Sequence, residues 1–261
     1  TVNETPAATT GPSSVCVGSV ITLSNTTAGG TWLSQNITMA TVDATGSVTG
    51  VAAGSLVISY VTGAGCFNVR AITVNALPGV VTGAGAVCTG ASTLVSSSPA
   101  GGVWSADNSN VSISFSGTTC TVNGVTAGTS TLSYMLGTGC YRTGVVTINE
   151  TPSAIAGPSA VCAGAIAAYG SITAGGVWSS SNSVVGTVSE SGLFTAISTG
   201  TTTLSYVTAG GCFTTKIITV NAQPAPVSGV LAVCTGGTTT VSSATVGGSW
   251  TASNALVGLS A

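Results

Sequence analysis

The sequence predicts an all-β protein made of tandem antiparallel β-sandwich domains arranged as an extended rod. Tryptophans recur at nearly equal intervals, at positions 32, 104, 178 and 250, and a repeat on this scale indicates a row of similar domains rather than one large fold. Short segments alternate apolar and polar residues between Gly-rich turns, as half-buried strands do. No segment combines helical periodicity with capping residues and sufficient length.

The third repeat shows the predicted strands most clearly. Residues 203–207 alternate apolar and polar side chains, and Gly-containing breaks flank them at 199–200 and 209–211. The other predicted strands of this repeat are 159–161, 166–172, 177–179, 184–188, 193–197 and 212–220. Seven short strands with turn signals about every 8–12 residues are typical of a β-sandwich.

Each tryptophan belongs to a fixed pattern. It follows a Gly-Gly-x sequence and lies at a constant distance after a cysteine, which we call the early cysteine of its repeat. In the first three repeats a tyrosine comes later and precedes a second, late cysteine, again at a constant distance. The tryptophans are Trp32, Trp104, Trp178 and Trp250; the tyrosines are Tyr60, Tyr134 and Tyr206; the early cysteines are Cys16, Cys88, Cys162 and Cys234; the late cysteines are Cys66, Cys140 and Cys212.

We predict that these tryptophans and tyrosines are the core anchors of their sandwiches. Tryptophan is highly buried on average, and a tryptophan on the third strand is a usual packing centre between two sheets. The spacing between these residues and their cysteines is the same in every repeat, which favours a structural role in the core. The alternative is a row of exposed indole rings that stack against sugars.

The landmarks also set the expected domain boundaries. Three short motifs recur two repeats further along the chain, among them Asn-Glu-Thr-Pro at 3–6 and 149–152, so the repeats alternate between types A and B. Copying of a two-domain block explains this alternation, and two types with different binding surfaces are the alternative. The expected order is the end of a preceding repeat at 1–3, type A at 4–75, type B at 76–149, type A at 150–221 and an incomplete type B at 222–261.

The ends of the chain cut across the repeat. We therefore expect a window of a longer repetitive polypeptide; the alternative is a last repeat that a strand from another subunit completes. Only two residues separate each closing Asn from the next opening Pro, as in 75–78. Such short, Pro-containing links predict restricted hinge angles.

Regular cysteine spacing predicts disulfides, and two schemes fit it. Within repeats the pairs are Cys16–Cys66, Cys88–Cys140 and Cys162–Cys212; across junctions they are Cys66–Cys88, Cys140–Cys162 and Cys212–Cys234. Disulfide partners need Cα atoms within about 7 Å, and the chain between Cys66 and Cys88 runs along a last strand into the next domain. We therefore predict the pairing within repeats. Both schemes leave Cys120 over, for which a buried thiol is favoured above an intermolecular link.

The composition excludes several classes of function. Only 3 basic and 5 acidic residues occur and no histidine, which argues against nucleic-acid partners and against zinc. The two isolated aspartates, Asp43 and Asp107, do not form an oxygen-rich calcium cluster. No run of about 18 apolar residues exists, so we expect no membrane insertion. We expect no cofactor and no enzyme activity, because an activated Ser or Thr needs a base and only Lys216 could be proposed.

The third repeat carries a family resemblance. Trp-Ser-Ser-Ser-Asn at 178–182 leads to a Val-rich strand, a turn at Gly192 and Thr-Gly-Thr at 199–201, and 32–55 are similar. This pattern resembles the group 2 bacterial immunoglobulin-like domain. The Val-Cys-x-Gly at 15–18 and Gly-Cys at 65–66 look like tandem repeats of very large secreted adhesins of gliding and surface-attaching bacteria. The resemblance implies an extracellular, non-catalytic immunoglobulin-like sandwich and identifies no ligand.

The favoured function is a structural one, a rod segment of a cell-surface adhesin stalk or extracellular filament. Expected partners are neighbouring repeats or further copies of the chain, at the bacterial surface or outside the cell. The alternative is a module whose end loops bind a surface carbohydrate or protein. Ice binding by Thr arrays ranks last, because it needs a flat lattice with a much shorter repeat.

Overall fold

The regular secondary structure of the chain consists of β-strands. The structure, a computed structural model, describes residues 2–253 and 256–259 and contains no helix there. It forms two compact units, Thr1–Thr151 and Pro152–Ala261. None of the described residues belongs to a helix with the length and apolarity needed to span a membrane. The prediction of an all-β fold is confirmed.

Three sandwiches of seven strands each follow one another along the chain. The first consists of β1 Ser14–Cys16, β2 Val20–Thr22, β3 Thr31–Ser34, β4 Ala40–Val42, β5 Ser47–Gly50, β6 Gly54–Val61 and β7 Phe67–Asn75. The second consists of β8 Ala86–Cys88, β9 Ser92–Ser96, β10 Val103–Ala106, β11 Val111–Ser116, β12 Thr119–Gly124, β13 Gly128–Met135 and β14 Tyr141–Asn149. The third consists of β15 Ala160–Cys162, β16 Ile166–Ala168, β17 Val177–Ser180, β18 Gly186–Val188, β19 Leu193–Ala196, β20 Gly200–Val207 and β21 Phe213–Asn221.

The strands of each sandwich divide into the same two sheets. In the first, a four-stranded sheet has the order β1-β7-β6-β3 and a three-stranded sheet the order β2-β5-β4. All pairs are antiparallel except β1 with the end of β7, where Cys16 lies opposite Asn75. The second and third sandwiches repeat these orders. Tandem immunoglobulin-like sandwiches are therefore the fold class.

The core lies between the two sheets because alternate side chains of each strand point inward. On β6, Leu56, Ile58 and Tyr60 are buried while their neighbours are partly exposed. Leu56 and Ile58 pack with Val48 of the three-stranded sheet. The sequence predicted the same alternation for 203–207, which belong to the corresponding strand of the third sandwich, β20.

The second sandwich differs by a longer hairpin. It extends β11 and β12, whose Ser116 and Thr119 form the last pair before the turn. This hairpin lies between Trp104 and Tyr134, where the sequence has two extra residues. Cys120 lies on β12 and is a fully buried free thiol within the core. The expectation of a buried thiol at this position is confirmed.

The segment after residue 221 forms little regular structure. Its described residues contain one pair of two-residue strands, β22 Ser228–Gly229 and β23 Val241–Ser242. Thr1 of the predicted segment 1–3, and residues 254–255 and 260–261 of the predicted repeat 222–261, lie outside the described residues.

Candidate functional site

A tryptophan–tyrosine pair lies at the same place in each sandwich. The tryptophan is on the third strand and the tyrosine directly opposite it on the sixth, as in Trp32 and Tyr60. The ring centroids are 4.7 Å apart in the first sandwich, 4.8 Å in the second and 4.6 Å in the third. At these distances two tilted aromatic rings attract each other beyond the area that they bury.

The tyrosine hydroxyl makes two backbone hydrogen bonds. In the second sandwich Tyr134 Oη accepts from the Gly102 amide at 3.0 Å and donates to the Pro99 carbonyl at 2.8 Å. The first and third sandwiches repeat this pattern with Tyr60 and Tyr206, at 2.6–3.0 Å. Each tyrosine therefore holds the turn before the tryptophan strand against the sixth strand.

The Gly-Gly of the motif follows from this contact. The first glycine, such as Gly101 with φ of 97°, adopts the left-handed conformation that glycine tolerates best. The second glycine lies under the tyrosine ring, and a Cβ on Gly102 would overlap Tyr134. A turn, a close approach and an aromatic pair together explain Gly-Gly-x-Trp.

Burial of the predicted anchors varies between repeats. Trp104 is 2 % exposed, and the three tyrosines are all buried. Trp32 and Trp178 are half-buried and pack against the cores of their own sandwiches. Trp250 is 45 % exposed, contrary to the prediction that it anchors a core. Among the described residues, no aromatic ring packs on Trp250 as Tyr134 packs on Trp104.

The three cations of the chain share a structural role that the sequence analysis missed. Arg70, Arg142 and Lys216 lie on the last strands of the three sandwiches, a few residues after a late cysteine. Arg70 donates to the carbonyls of Thr9, Gly11 and Pro12, Arg142 to Pro78 and Lys216 to Ile155. Each cation thus holds the opening segment of its sandwich on the last strand. Arg70 and Lys216 occupy the same repeat position, four residues after the late cysteine, whereas Arg142 follows Cys140 by two residues. The sequence signal was the recurrence of a single cation shortly after each late cysteine.

One disulfide joins the first sandwich to the second. Cys16 is bonded to Cys140, with Cα atoms 5.7 Å apart, a usual separation. The predicted pairs Cys16–Cys66 and Cys88–Cys140 are therefore wrong, and so is the alternative Cys140–Cys162. The bond spans 124 residues, for which the chain-entropy model gives about 5 kcal/mol of stabilisation.

The position of the strands explains this correction. The early cysteine Cys16 lies opposite Asn75, where the chain leaves the first sandwich, which we call its closing end. The late cysteine Cys66 precedes β7, at the opposite or opening end. The nine residues of β7 separate the two ends by about 30 Å, far beyond the reach of a disulfide. Cys16 is therefore out of reach of Cys66 and bonds instead to Cys140, the late cysteine of the following sandwich.

The other cysteines divide into two groups. Cys88 and Cys212 are disulfide-bonded, whereas Cys66, Cys162 and Cys234 are free thiols with at least partial exposure. The predicted pair Cys162–Cys212 is therefore wrong, as are the alternative pairs Cys66–Cys88 and Cys212–Cys234. Burial raises the pKa of the Cys120 thiol, which makes it a poor nucleophile.

A family model matches the first repeat. The bacterial Ig-like domain (group 2) covers residues 3–73. This repeat belongs to that family. The second and third sandwiches share its strand order and its Trp–Tyr pair. The resemblance to tandem bacterial Ig-like repeats is confirmed. A comparison with curated protein sequences finds no match.

Several solved structures are similar to the chain. Invasin, a bacterial integrin-binding protein, is 15% identical over 88% of this chain and 63% of its own, with a TM-score of 0.40. A C-terminal 282-residue intimin fragment, in complex with the intimin-binding domain of its translocated receptor, is 15% identical over 57% of this chain and 64% of its own, with a TM-score of 0.42. The chain therefore spans less than two thirds of each. SGBP-B of a Bacteroides ovatus mixed-linkage glucan utilization locus, in complex with a heptasaccharide, is 16% identical over 88% of this chain and 72% of its own, with a TM-score of 0.23.

Two aspartates of the Ig-like repeats accept hydrogen bonds from nearby backbone and hydroxyl groups, Asp43 within a turn and Asp107 from β13. Asp43 accepts hydrogen bonds from the Thr45 hydroxyl at 2.6 Å and the Ser47 amide at 2.9 Å, which lower the pKa of its carboxyl group. Asp107 accepts from the Thr131 amide at 2.9 Å and Ser130 at 3.0 Å, which also lower its pKa. Among the described residues, no group of three His, Cys, Asp or Glu side chains could hold a metal ion.

Proposed function

We propose that the chain is a non-catalytic extracellular rod segment, from a cell-surface adhesin stalk or an extracellular filament. The Cys16–Cys140 disulfide carries this proposal, because it joins the closing end of one sandwich to the opening end of the next. A covalent link at that place limits the hinge motion between successive domains. Disulfides persist in oxidising compartments, which supports a secreted or surface location.

The chemistry of the side chains also supports a structural role. The three cations contact backbone carbonyls, and among them is Lys216, the one candidate base in the sequence. Without histidine, few groups remain that could activate a hydroxyl nucleophile. The chain has few charged residues, with a formal net charge of −2, and is rich in Ser, Thr and Gly; neighbouring repeats are its expected partners.

Small-angle X-ray scattering of the oxidised full chain tests the rod. A single compact body of this length has a radius of gyration of about 18 Å. Sandwiches of about 30 Å placed in a row give roughly 30 Å instead. A value near that of the compact body would contradict the proposal.

A variant without the disulfide tests whether the link stiffens the rod. Cys140→Ser is expected to broaden the distribution of distances within the chain, because the first and second sandwiches can then bend about residues 75–78. Cys162→Ser is the matched control, since this thiol is exposed and free. Identical scattering from the wild type and Cys140→Ser would show that the disulfide does not restrain the junction.

One observation favours a binding module as the second candidate. The residue after each late cysteine is an exposed aromatic: Phe67 is 60 % exposed, Tyr141 57 % and Phe213 61 %. In the second sandwich Tyr141 lies opposite Met135, which lies opposite Val103, and all three are exposed. The result is an apolar row across the sheet at the opening end. Aromatic side chains at such places often mark interaction sites.

Affinity electrophoresis in gels that contain a soluble polysaccharide tests this second function. Retardation by a mixed-linkage glucan that is lost in Tyr141→Ala would favour carbohydrate binding. Val145→Ala is the control, because Val145 is equally exposed on the same strand but lies outside the row. Unchanged mobility in a panel of polysaccharides would contradict carbohydrate binding by this surface and favour the rod role of the chain.

A further inference from the structure

One disulfide closes a loop around most of the first compact unit. The Cys16–Cys140 bond joins residues that are 124 positions apart. Strands β2–β7 of the first sandwich, the junction at 75–78 and strands β8–β13 of the second lie inside this loop. β1 ends at Cys16 and β14 begins directly after Cys140, so both lie outside it. The shortest covalent path through the two sandwiches therefore consists of β1, the S–S bond and β14.

This loop decides how a pull along the chain is transmitted. Contacts between strands are non-covalent and individually weak, so they share a pulling force only until they break. After that the shortest covalent path is taut and carries the force alone. Residues 17–139 are slack in that state, because the bond connects the two ends of this stretch directly. A pull therefore cannot draw them out into an extended chain.

The two strands that remain in the path are held to different extents. β14 pairs with β13 over its first eight residues and with β8 over its last three, and a pull along β14 loads these pairs together. β1 pairs only with β7, over three residues. The opening segment before it, residues 4–13, is also held by Arg70, which donates to three of its carbonyls. We expect the opening segment and β1 to detach first, while β14 stays in its sheet.

The pairing that the sequence predicted would protect less of the unit. With Cys16–Cys66 and Cys88–Cys140 in place, residues 67–87 would remain in the covalent path. They include β7, which lies between β1 and β6 in the four-stranded sheet and contributes two buried residues to the core. Pulling out β7 would divide that sheet. The observed bond instead keeps β7 and the junction inside the loop.

We propose that the Cys16–Cys140 bond is a mechanical tether, which limits the length that tension can draw out of the first two sandwiches. The bond does so by keeping residues 17–139 out of the path of the force. This device deepens the rod role proposed above and rests on it for its use, because a rod segment is pulled between the bodies that it links. The limit itself is set by covalent connectivity and can be measured on the chain alone.

Single-molecule force spectroscopy on the oxidised full chain tests the tether. Azide-bearing residues in place of Glu4 and Glu150 attach the two handles, because both side chains are exposed and this chemistry leaves every cysteine intact. The handles are 146 residues apart in sequence, and the bond removes 124 of these from the path. At about 3.5 Å per extended residue, the handles of the wild type should separate to no more than about 80 Å.

Two variants remove the bond and one is the matched control. Cys140→Ser should raise the limit roughly sixfold, to about 500 Å, because all 146 residues then enter the path. Cys16→Ser should give the same result, and so should the wild type in dithiothreitol. Cys66→Ser removes the late cysteine of the first repeat, which is a free thiol, and should leave the wild-type limit unchanged.

Three results would each overturn the tether. They are a wild type that extends as far as Cys140→Ser, a Cys140→Ser variant that stops at the wild-type limit, and a Cys66→Ser variant that exceeds it. The limit is measured on the native chain, so a variant that folds poorly does not affect it. The rod role is tested separately, since a compact radius of gyration would reject the rod and leave the limit in place.

A long extension of the wild type would reject the tether and leave the rod.

Discussion

Trp104 and Trp250 have the same place in the repeat but different surroundings. Trp104 is 2 % exposed and packs 4.8 Å from Tyr134, whereas Trp250 is 45 % exposed. Both follow a Gly-Gly-x sequence and both are type B. The difference shows that this motif does not by itself bury a tryptophan. Burial requires the sixth strand, which in the second sandwich is β13 and brings Tyr134 onto the ring.

The opening segments of the same two regions are alike. The hydroxyl groups of Ser228 and Ser242 are 3.0 Å apart, and those of Thr82 and Ser96 are 2.8 Å apart. These contacts span 14 residues and form in both regions. The opening contacts are therefore local, whereas the core is not. Four predictions test this distinction.

The largest effect is expected from the tryptophans themselves. Trp104→Ala removes a buried aromatic side chain and should cost the second sandwich about 3–5 kcal/mol. Trp250→Ala should change stability by less than about 0.5 kcal/mol, because the ring is exposed. Hydrogen exchange in peptides from β13 and from 241–250 measures both. An equal loss of protection in the two variants would refute the comparison.

The second glycine of the motif gives the next effect. A Cβ at Gly102 would overlap the Tyr134 ring, whereas a Cβ at Gly248 would meet no atom within 4 Å. Gly102→Ala should therefore cost about 1–3 kcal/mol through overpacking. Gly248→Ala is the matched control and should be neutral or slightly stabilising. Urea titration followed by hydrogen exchange compares the two, and a tolerated Gly102→Ala would contradict the close approach of Tyr134.

The tyrosine hydroxyl can be tested separately from its ring. Tyr134→Phe keeps the ring contact with Trp104 but leaves the Gly102 amide without its acceptor, at a cost of about 1–3 kcal/mol. Tyr60→Phe and Tyr206→Phe should give similar losses in their own sandwiches. Tyr141→Phe is the control, because that side chain is 57 % exposed. Equal melting curves for Tyr134→Phe and Tyr141→Phe would show that the turn does not need this hydroxyl.

The smallest effect is a dependence on pH in one turn. Asp43 in the first sandwich corresponds to Ser189 in the third, and both accept a hydrogen bond from the amide four residues later. Hydrogen bonds from Thr45 and Ser47 lower the pKa of Asp43 in the folded state. Its contribution is therefore present above the pKa of the unfolded chain and is lost as pH falls through the lowered pKa.

The measurement compares the first and third sandwiches by hydrogen exchange at decreasing pH, corrected for the intrinsic rates. The first sandwich should lose protection around Asp43 in acid, and Asp43→Ser should remove that dependence. The Ser189 turn of the third sandwich serves as the internal reference. A pH dependence that survives in Asp43→Ser would assign it to another group.

Much of the fold follows from local patterns in the sequence. All seven predicted strands of the third repeat exist, and their ends differ by a few residues, as for 166–172 against Ile166–Ala168. The alternation of 203–207 predicted which side chains of β20 point inward. The disulfide prediction failed because neither scheme included a bond between the early cysteine of one repeat and the late cysteine of the next. The parallel pairing of β1 with β7 decides at which end of the sandwich each cysteine lies. The spacing of the cysteines along the sequence does not reveal that pairing.

The sequence by itself determined the repeat, the strands and the residues that could be anchors, because backbone preferences and alternation act over a few neighbouring residues. The tertiary structure decided which anchors are buried, which cysteines bond and what the three cations contact. Each of these depends on a partner that is distant along the chain, as Tyr134 is from Trp104 and Cys140 from Cys16. Proximity in space at such separations is set by the pairing of whole strands, and only the assembled sheets fix it.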